Sequence, residues 1–161
     1  MAYTRKRTAK RTRPKDRTCY ETAVYLLQFR DQSEKDLTRK LKEREYTEKE
    51  IEEAMAKLRD YDYVNDENLA DELFEAYRRR AQYGDAHIHQ KLKLKGLVTE
   101  KHLQLEEEIE MAAALLQKKW GMSPKMRTDF KKSASFLLRR GFSHDAVMTV
   151  MHEMDFEEIE E

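Results

Sequence analysis

The chain has 161 residues, 39% hydrophobic and 40% charged, with equal numbers of basic and acidic side chains and a formal net charge of zero. So much charge fits poorly with one ball-shaped core and well with a stack of small helical units that bury only the faces they share. A single cysteine, Cys19, excludes a disulfide framework and a thiolate zinc cluster, and no stretch has the apolar length of a membrane span or a secretory signal, so a cytoplasmic protein is expected.

In chain order, the first segment is strongly basic. Residues 1–17 carry Arg5, Lys6, Arg7, Lys10, Arg11, Arg13, Lys15 and Arg17 against Asp16 alone, a net +7 that leaves −7 for residues 18–161. With Tyr3 as its only aromatic and no amphipathic period, this segment reads as a disordered arm, and its eight cations are candidate DNA contacts through phosphates.

The composition beyond it is dense in helix formers and poor in Gly and Pro, so the fold class is all-α. Three segments share one grammar: Leu41–Ile51, Leu92–Leu103 and Leu137–Val147. Each has a helix-ending Leu, a short break, an apolar residue (Tyr46, Leu97, Phe142), a hydroxyl suited to an N-cap (Thr47, Thr99, Ser143) and an apolar residue four further on. Gly96 and Gly141 stand in two of the breaks, where a left-handed residue would close the helix. Glu45 stands in the other, and either it tolerates that conformation or the turn closes differently.

The repeat predicts three tandem three-helix units, nine helices in all, in an elongated stack: 18–64, 65–108 and 109–155, with an acidic tail at 156–161. Leading helices are expected at about 18–30, 67–80 and 106–120, and second helices at 34–44, 86–95 and 124–140, announced by Ser33, Asp85 and Ser123 with Pro124. After Thr47, with Glu50 as a capping box, Ile51, Ala54, Met55 and Leu58 form a stripe that Val147, Val150, Met151 and Met154 repeat. In the middle copy the same phase lands on Glu106, Glu107 and Glu110, while nothing interrupts 100–119. Its third helix is therefore expected to run into the next unit, even as one long helix.

No phosphate-cradling glycine loop, nucleophile elbow or Cys/His signature is present, and the histidines have no zinc-motif spacing, so no enzyme, cofactor or metal site is predicted. The cations are more telling. His87, Lys91 and Lys95 form a stripe at i, i+4, i+8 beside the apolar Ile88 and Leu92, and Arg78, Arg79 and Arg80 end the preceding helix. A solvated surface would look alike, but two adjacent helices placing cations around one turn point to an acidic or anionic partner.

Four stretches, YLLQFRDQSEKDLTRKL (Tyr25–Leu41), YTEKEIEEAMAKLRDYDYVNDENLADEL (Tyr46–Leu73), YRRRAQYGDAHIHQKLKLKG (Tyr77–Gly96) and FLLRRGFSHDAV (Phe136–Val147), resemble the RecX family of bacterial regulators of the RecA recombinase. The resemblance implies a modular, curved three-by-three-helix protein without catalysis of its own. It implies binding to the RecA nucleoprotein filament and inhibition of recombinase, strand-exchange and coprotease activity in DNA repair and the SOS response. On this reading the chain is a monomer, and Arg78, Arg79, Arg80, His87, Lys91, Lys95, Arg139 and Arg140 are the candidate partner contacts. The rival reading is a module that binds single- or double-stranded DNA through its basic arm and helix faces. Glu45 and Asp62 depart from the family's usual Gly before an aromatic, and the arm and tail are not family hallmarks.

Overall fold

The computed structural model describes residues 16–154; the expected arm up to Lys15 and the acidic tail lie outside the described residues. Among those described there are eight α-helices and no strand, as expected for an all-α chain. They are α1 (Cys19–Leu27), α2 (Glu34–Glu43), α3 (Glu48–Asp60), α4 (Asp66–Arg80), α5 (Asp85–Leu94), α6 (Leu105–Met122), α7 (Phe130–Arg139) and α8 (His144–Glu153), with a 3₁₀ helix at Pro124–Thr128. They form two compact units, one ending at Leu69 and one beginning at Ala70, with the division inside α4.

In the first unit, local capping fixes the helix starts and the apolar stripe fixes the core. Thr18 and Thr47 each accept a backbone N–H three residues on, from Glu21 and Glu50, at 3.2 Å, and those glutamates return a 2.9 Å bond to the cap N–H. Ser33 caps α2 through the N–H of Asp36, and Asp66 accepts the N–H of Glu34 at 2.9 Å. The predicted stripe Ile51, Ala54, Met55 and Leu58 is buried with Ala23, Leu37 and Leu41. Tyr46 is buried among them; its hydroxyl donates to the Arg17 carbonyl at 3.0 Å and lies 2.6 Å from the Thr22 hydroxyl.

The turn at Glu45 closes in the left-handed conformation, with φ +66°. The Glu45 N–H reaches the Lys42 carbonyl at 3.0 Å and the Tyr46 N–H the Leu41 carbonyl at 3.4 Å, the paired closure that follows Leu92 and Leu137 at Gly96 and Gly141. Asp62, φ +56°, closes α3 in the same way. A side chain in this region costs about 1–2 kcal/mol.

The second unit differs from expectation in three places. The helix expected over 124–140 is split: Pro124 opens a 3₁₀ turn, and Asp129, accepting the Lys132 N–H at 3.0 Å, starts α7 afresh. Trp120 spans the join, its Nε1–H donating to the buried Ser133 hydroxyl at 3.0 Å, which in turn donates to the Met126 carbonyl. Asp85 is not the cap of α5; Gly84 holds that position.

The largest difference is that the described residues hold eight helices where nine were expected, because the middle copy has no third helix. Residues 97–104 are non-helical and α6 begins only at Leu105, so no long helix runs over 100–119. A helix phased on Thr99 would turn Glu106, Glu107 and Glu110 toward the core, which no burial could repay. Thr99 is instead buried in the strap, donating to Asp71 at 2.6 Å and accepting the Lys101 N–H. The strap is held further by buried Leu103, whose N–H donates to Asp85 Oδ1 at 2.7 Å.

α6, α7 and α8 pack around Ala112, Leu116, Trp120, Leu137, Phe142, Val147, Val150 and Met151. One buried carboxylate ties this core to α5. Glu108, 4% exposed, accepts the Asp85 N–H at 2.9 Å on one oxygen and the Ser143 N–H at 3.3 Å on the other, satisfying two helix starts at once.

Candidate functional site

The second unit brings two backbones unusually close. A Cβ on Gly84 would lie 2.3 Å from the Phe142 nitrogen, and one on Gly141 2.3 Å from the His87 Cβ. Only glycine permits this approach, and at Gly141 the φ of +83° requires it as well. The Gly84 N–H donates to the Arg140 carbonyl at 2.9 Å, which seats the start of α5 on the α7–α8 turn.

The consequence is a cationic and aromatic surface centred on Tyr83. The His87 imidazole stacks on the Tyr83 ring at 4.7 Å and 19°, and Tyr77 meets it edge-on at 6.3 Å. The Lys91 ammonium lies 4.6 Å from the Tyr83 centroid and the Arg140 guanidinium 5.5 Å from it, with Phe136 at 5.3 Å from the same guanidinium. Arg140 also donates to the Gln82 carbonyl at 3.4 Å, and Lys119 lies 5.6 Å from the Phe136 ring. Cations held over rings keep most of their charge available to a further ligand. Among the described residues no carboxylate pairs with Lys91 or Arg140.

Burial first, then the charges of Lys91 and Arg140, hold the His87 imidazole below its ordinary value of 6.5. At neutral pH His87 is therefore a neutral stacking ring rather than the cation read from the sequence. The surface thus presents two cations around a platform of π-faces, an arrangement that suits carboxylates, phosphates and planar groups.

The other predicted contacts are placed differently. Arg78 is engaged internally, its Nε–H donating to Glu107 at 2.7 Å and its guanidinium 3.5 Å from Glu75, which also accepts from Lys101 at 3.0 Å. Hydrogen bonding to the Gln104 N–H and then to Arg78 holds the Glu107 carboxyl below its usual range, and Lys101 does the same for Glu75. Arg79, Arg80 and Arg139 are exposed, and Lys95 is half-buried at the end of α5. Of the arm's cations only Arg17 lies within the described residues, its guanidinium 4.4 Å from the Tyr25 centroid. The structure therefore joins His87, Lys91 and Arg140 around Tyr83.

Tyr83 and Phe136 escaped the sequence reading. Tyr83 stands four residues before His87 and eight before Lys91, so the same helical spacing extended backwards would have included it. Three metal-capable side chains, Asp85, His89 and His102, also converge on the strap. No helix among the described residues is long and apolar enough to cross a membrane.

Comparison with known proteins places the chain in a family. Residues 19–58 match the family model for the first three-helix domain of RecX, and residues 106–151 the model for its third. The chain is 32% identical over 155 residues to the regulatory protein RecX of Actinobacillus pleuropneumoniae serotype 5b, covering 89% of this chain and 96% of that one. It is 30% identical to the regulatory protein RecX of Stenotrophomonas maltophilia, covering 87% and 89%. The crystal structure of RecX from Lactobacillus salivarius superposes with a TM-score of 0.72 at 26% identity, over 84% of this chain and 93% of that one.

Proposed function

Since the chain belongs to the RecX family of regulatory proteins, we propose that it binds the RecA nucleoprotein filament and inhibits recombinase, strand-exchange and coprotease activity. It acts by contact alone, without a reaction of its own. The observation that supports this reading at the level of residues is the Tyr83 surface. Lys91 and Arg140 are held in place by aromatic rings, remain available to anions, and sit on backbone whose approach is fixed by Gly84 and Gly141. A preorganised pair of cations loses little side-chain freedom on binding, which distinguishes it from the exposed Arg79, Arg80 and Arg139.

A ligand can shift a filament only by binding one of its states more tightly than another. Inhibition therefore corresponds to preference for a filament state that exchanges strands poorly. The test is RecA ATPase and strand exchange with stoichiometric protein added to preformed filaments. Both should fall, and substitution of Lys91 and Arg140 together by Ala should relieve the inhibition at least about tenfold if each contributes a charge-assisted contact of about 1.5–3 kcal/mol. Undisturbed strand exchange with the unsubstituted chain would reject the proposal. The rival DNA-binding reading predicts retention on bare DNA, with affinity falling steeply as salt is raised.

A further inference from the structure

The strap that replaces the third helix of the middle copy carries a second constellation, independent of the Tyr83 surface. His102, in the strap, places Nδ1 at 2.8 Å from Asp85 Oδ2, while His89, one turn along α5 from Asp85, places Nε2 at 3.6 Å from the same oxygen. One donor atom from each of the three residues lies within 4.8 Å of the other two. The Lys101 carbonyl oxygen is a further neighbour, 3.0 Å from His89 Nε2.

The ligands are oriented rather than merely near. Asp85 Oδ1 accepts the Leu103 N–H at 2.7 Å, which leaves Oδ2 turned toward the two imidazoles. Packing against Phe74, at 5.8 Å between centroids, positions the His89 ring, and the two imidazoles lie 4.6 Å apart at 27°. The nearest strap cation, Lys101, is drawn away to Glu75, so it does not oppose a second positive charge at this place. His102 is the exposed member, its side chain 60% accessible, which gives an ion a route in and leaves room for water as a fourth ligand.

We propose that Asp85, His89 and His102 bind a divalent transition-metal ion of the zinc class. Bonds of about 2.0–2.2 Å to nitrogen and oxygen put tetrahedral ligand atoms about 3.3–3.5 Å apart, a spacing bracketed by the 2.8 and 3.6 Å separations here. Two imidazoles and one carboxylate favour zinc, cobalt or nickel over magnesium and calcium, which prefer oxygen. The ion would bind the strap to α5 and so fix a segment that has no helix of its own. Local spacing cannot signal this site, because His102 lies 13 residues beyond His89 and returns only through the strap.

The test is titration of the untagged full chain with Zn²⁺ by calorimetry and with Co²⁺ by visible absorption. One equivalent should bind, and Co²⁺ should develop the intense ligand-field bands of a tetrahedral site. His102→Gln and His89→Gln should each weaken Zn²⁺ binding at least about tenfold, since loss of supporting contacts alone costs about that much, while His144→Gln should leave it unchanged. Absence of saturable binding, a Co²⁺ spectrum like that of the aqueous ion, or equal binding by His102→Gln would overturn the proposal and leave a hydrogen-bonded His–Asp–His cluster only. Since the Co²⁺ spectrum is read on the unsubstituted chain, the outcome does not depend on the folding of any variant.

Discussion

Glu108 shows how much one side chain can organise. Its two oxygens satisfy the N–H groups of Asp85 and Ser143, so Glu108→Ala leaves two donors unpaired in a buried place. The expected loss is about 2–4 kcal/mol in urea unfolding, with Glu108→Gln losing less because its amide keeps one acceptor. The opposite sign is expected at Glu45, where a carboxylate side chain occupies a left-handed turn. Glu45→Gly relieves that cost but adds chain entropy to the unfolded state, for a net gain of about 0.5–1 kcal/mol in the same measurement. At His87 the prediction concerns pH. Its proton affinity is low because burial and two cations disfavour the charged form. An anionic partner that offsets those cations raises it, so binding takes up a proton and tightens as pH falls. Filament affinity measured from pH 8 to pH 6 should show that rise, and His87→Gln should flatten it.

Between elements, the tie from α4 to α6 runs through Arg78 and Glu107, and that from α4 to the strap through Glu75 and Lys101. Both carboxyls titrate lower in the folded chain than their ordinary 4.5, so their stabilisation is complete above that value and is lost as pH falls through the folded values. The midpoint of thermal unfolding should therefore drop more steeply below about pH 4.5 for the unsubstituted chain than for Glu107→Gln. These ties also explain what the sequence could disclose. The stripes in α3 and α8 were legible because cap, period and core agree within a dozen residues. The failure of that stripe after Thr99 was legible too, as three glutamates in core phase. What replaced the helix was not, since Thr99 answers to Asp71, 28 residues earlier, and Leu103 to Asp85, 18 earlier. The candidate surface divides along the same line. His87 and Lys91 follow from helical spacing, whereas Arg140 arrives through the Gly84–Gly141 approach, which no local period encodes.

For the whole molecule, zero net charge conceals a basic first segment, an acidic last one, and a described chain in which many of the cations are paired. A count of charges therefore says little about where a partner binds; the cations that matter are those without carboxylates. Lys91 and Arg140, arrayed around Tyr83, are the pair proposed to carry binding to the RecA filament. The most direct measurement is the affinity of the unsubstituted chain and of Arg140→Glu for RecA assembled on single-stranded DNA, with bare single-stranded DNA as the reference and circular dichroism as the check on folding. The expected result is tight binding to the filament, weaker binding to bare DNA, and a loss of at least about tenfold for Arg140→Glu on the filament with helicity unchanged. Equal filament binding by the folded Arg140→Glu chain, or equal affinity of the unsubstituted chain for filament and bare DNA, would contradict it.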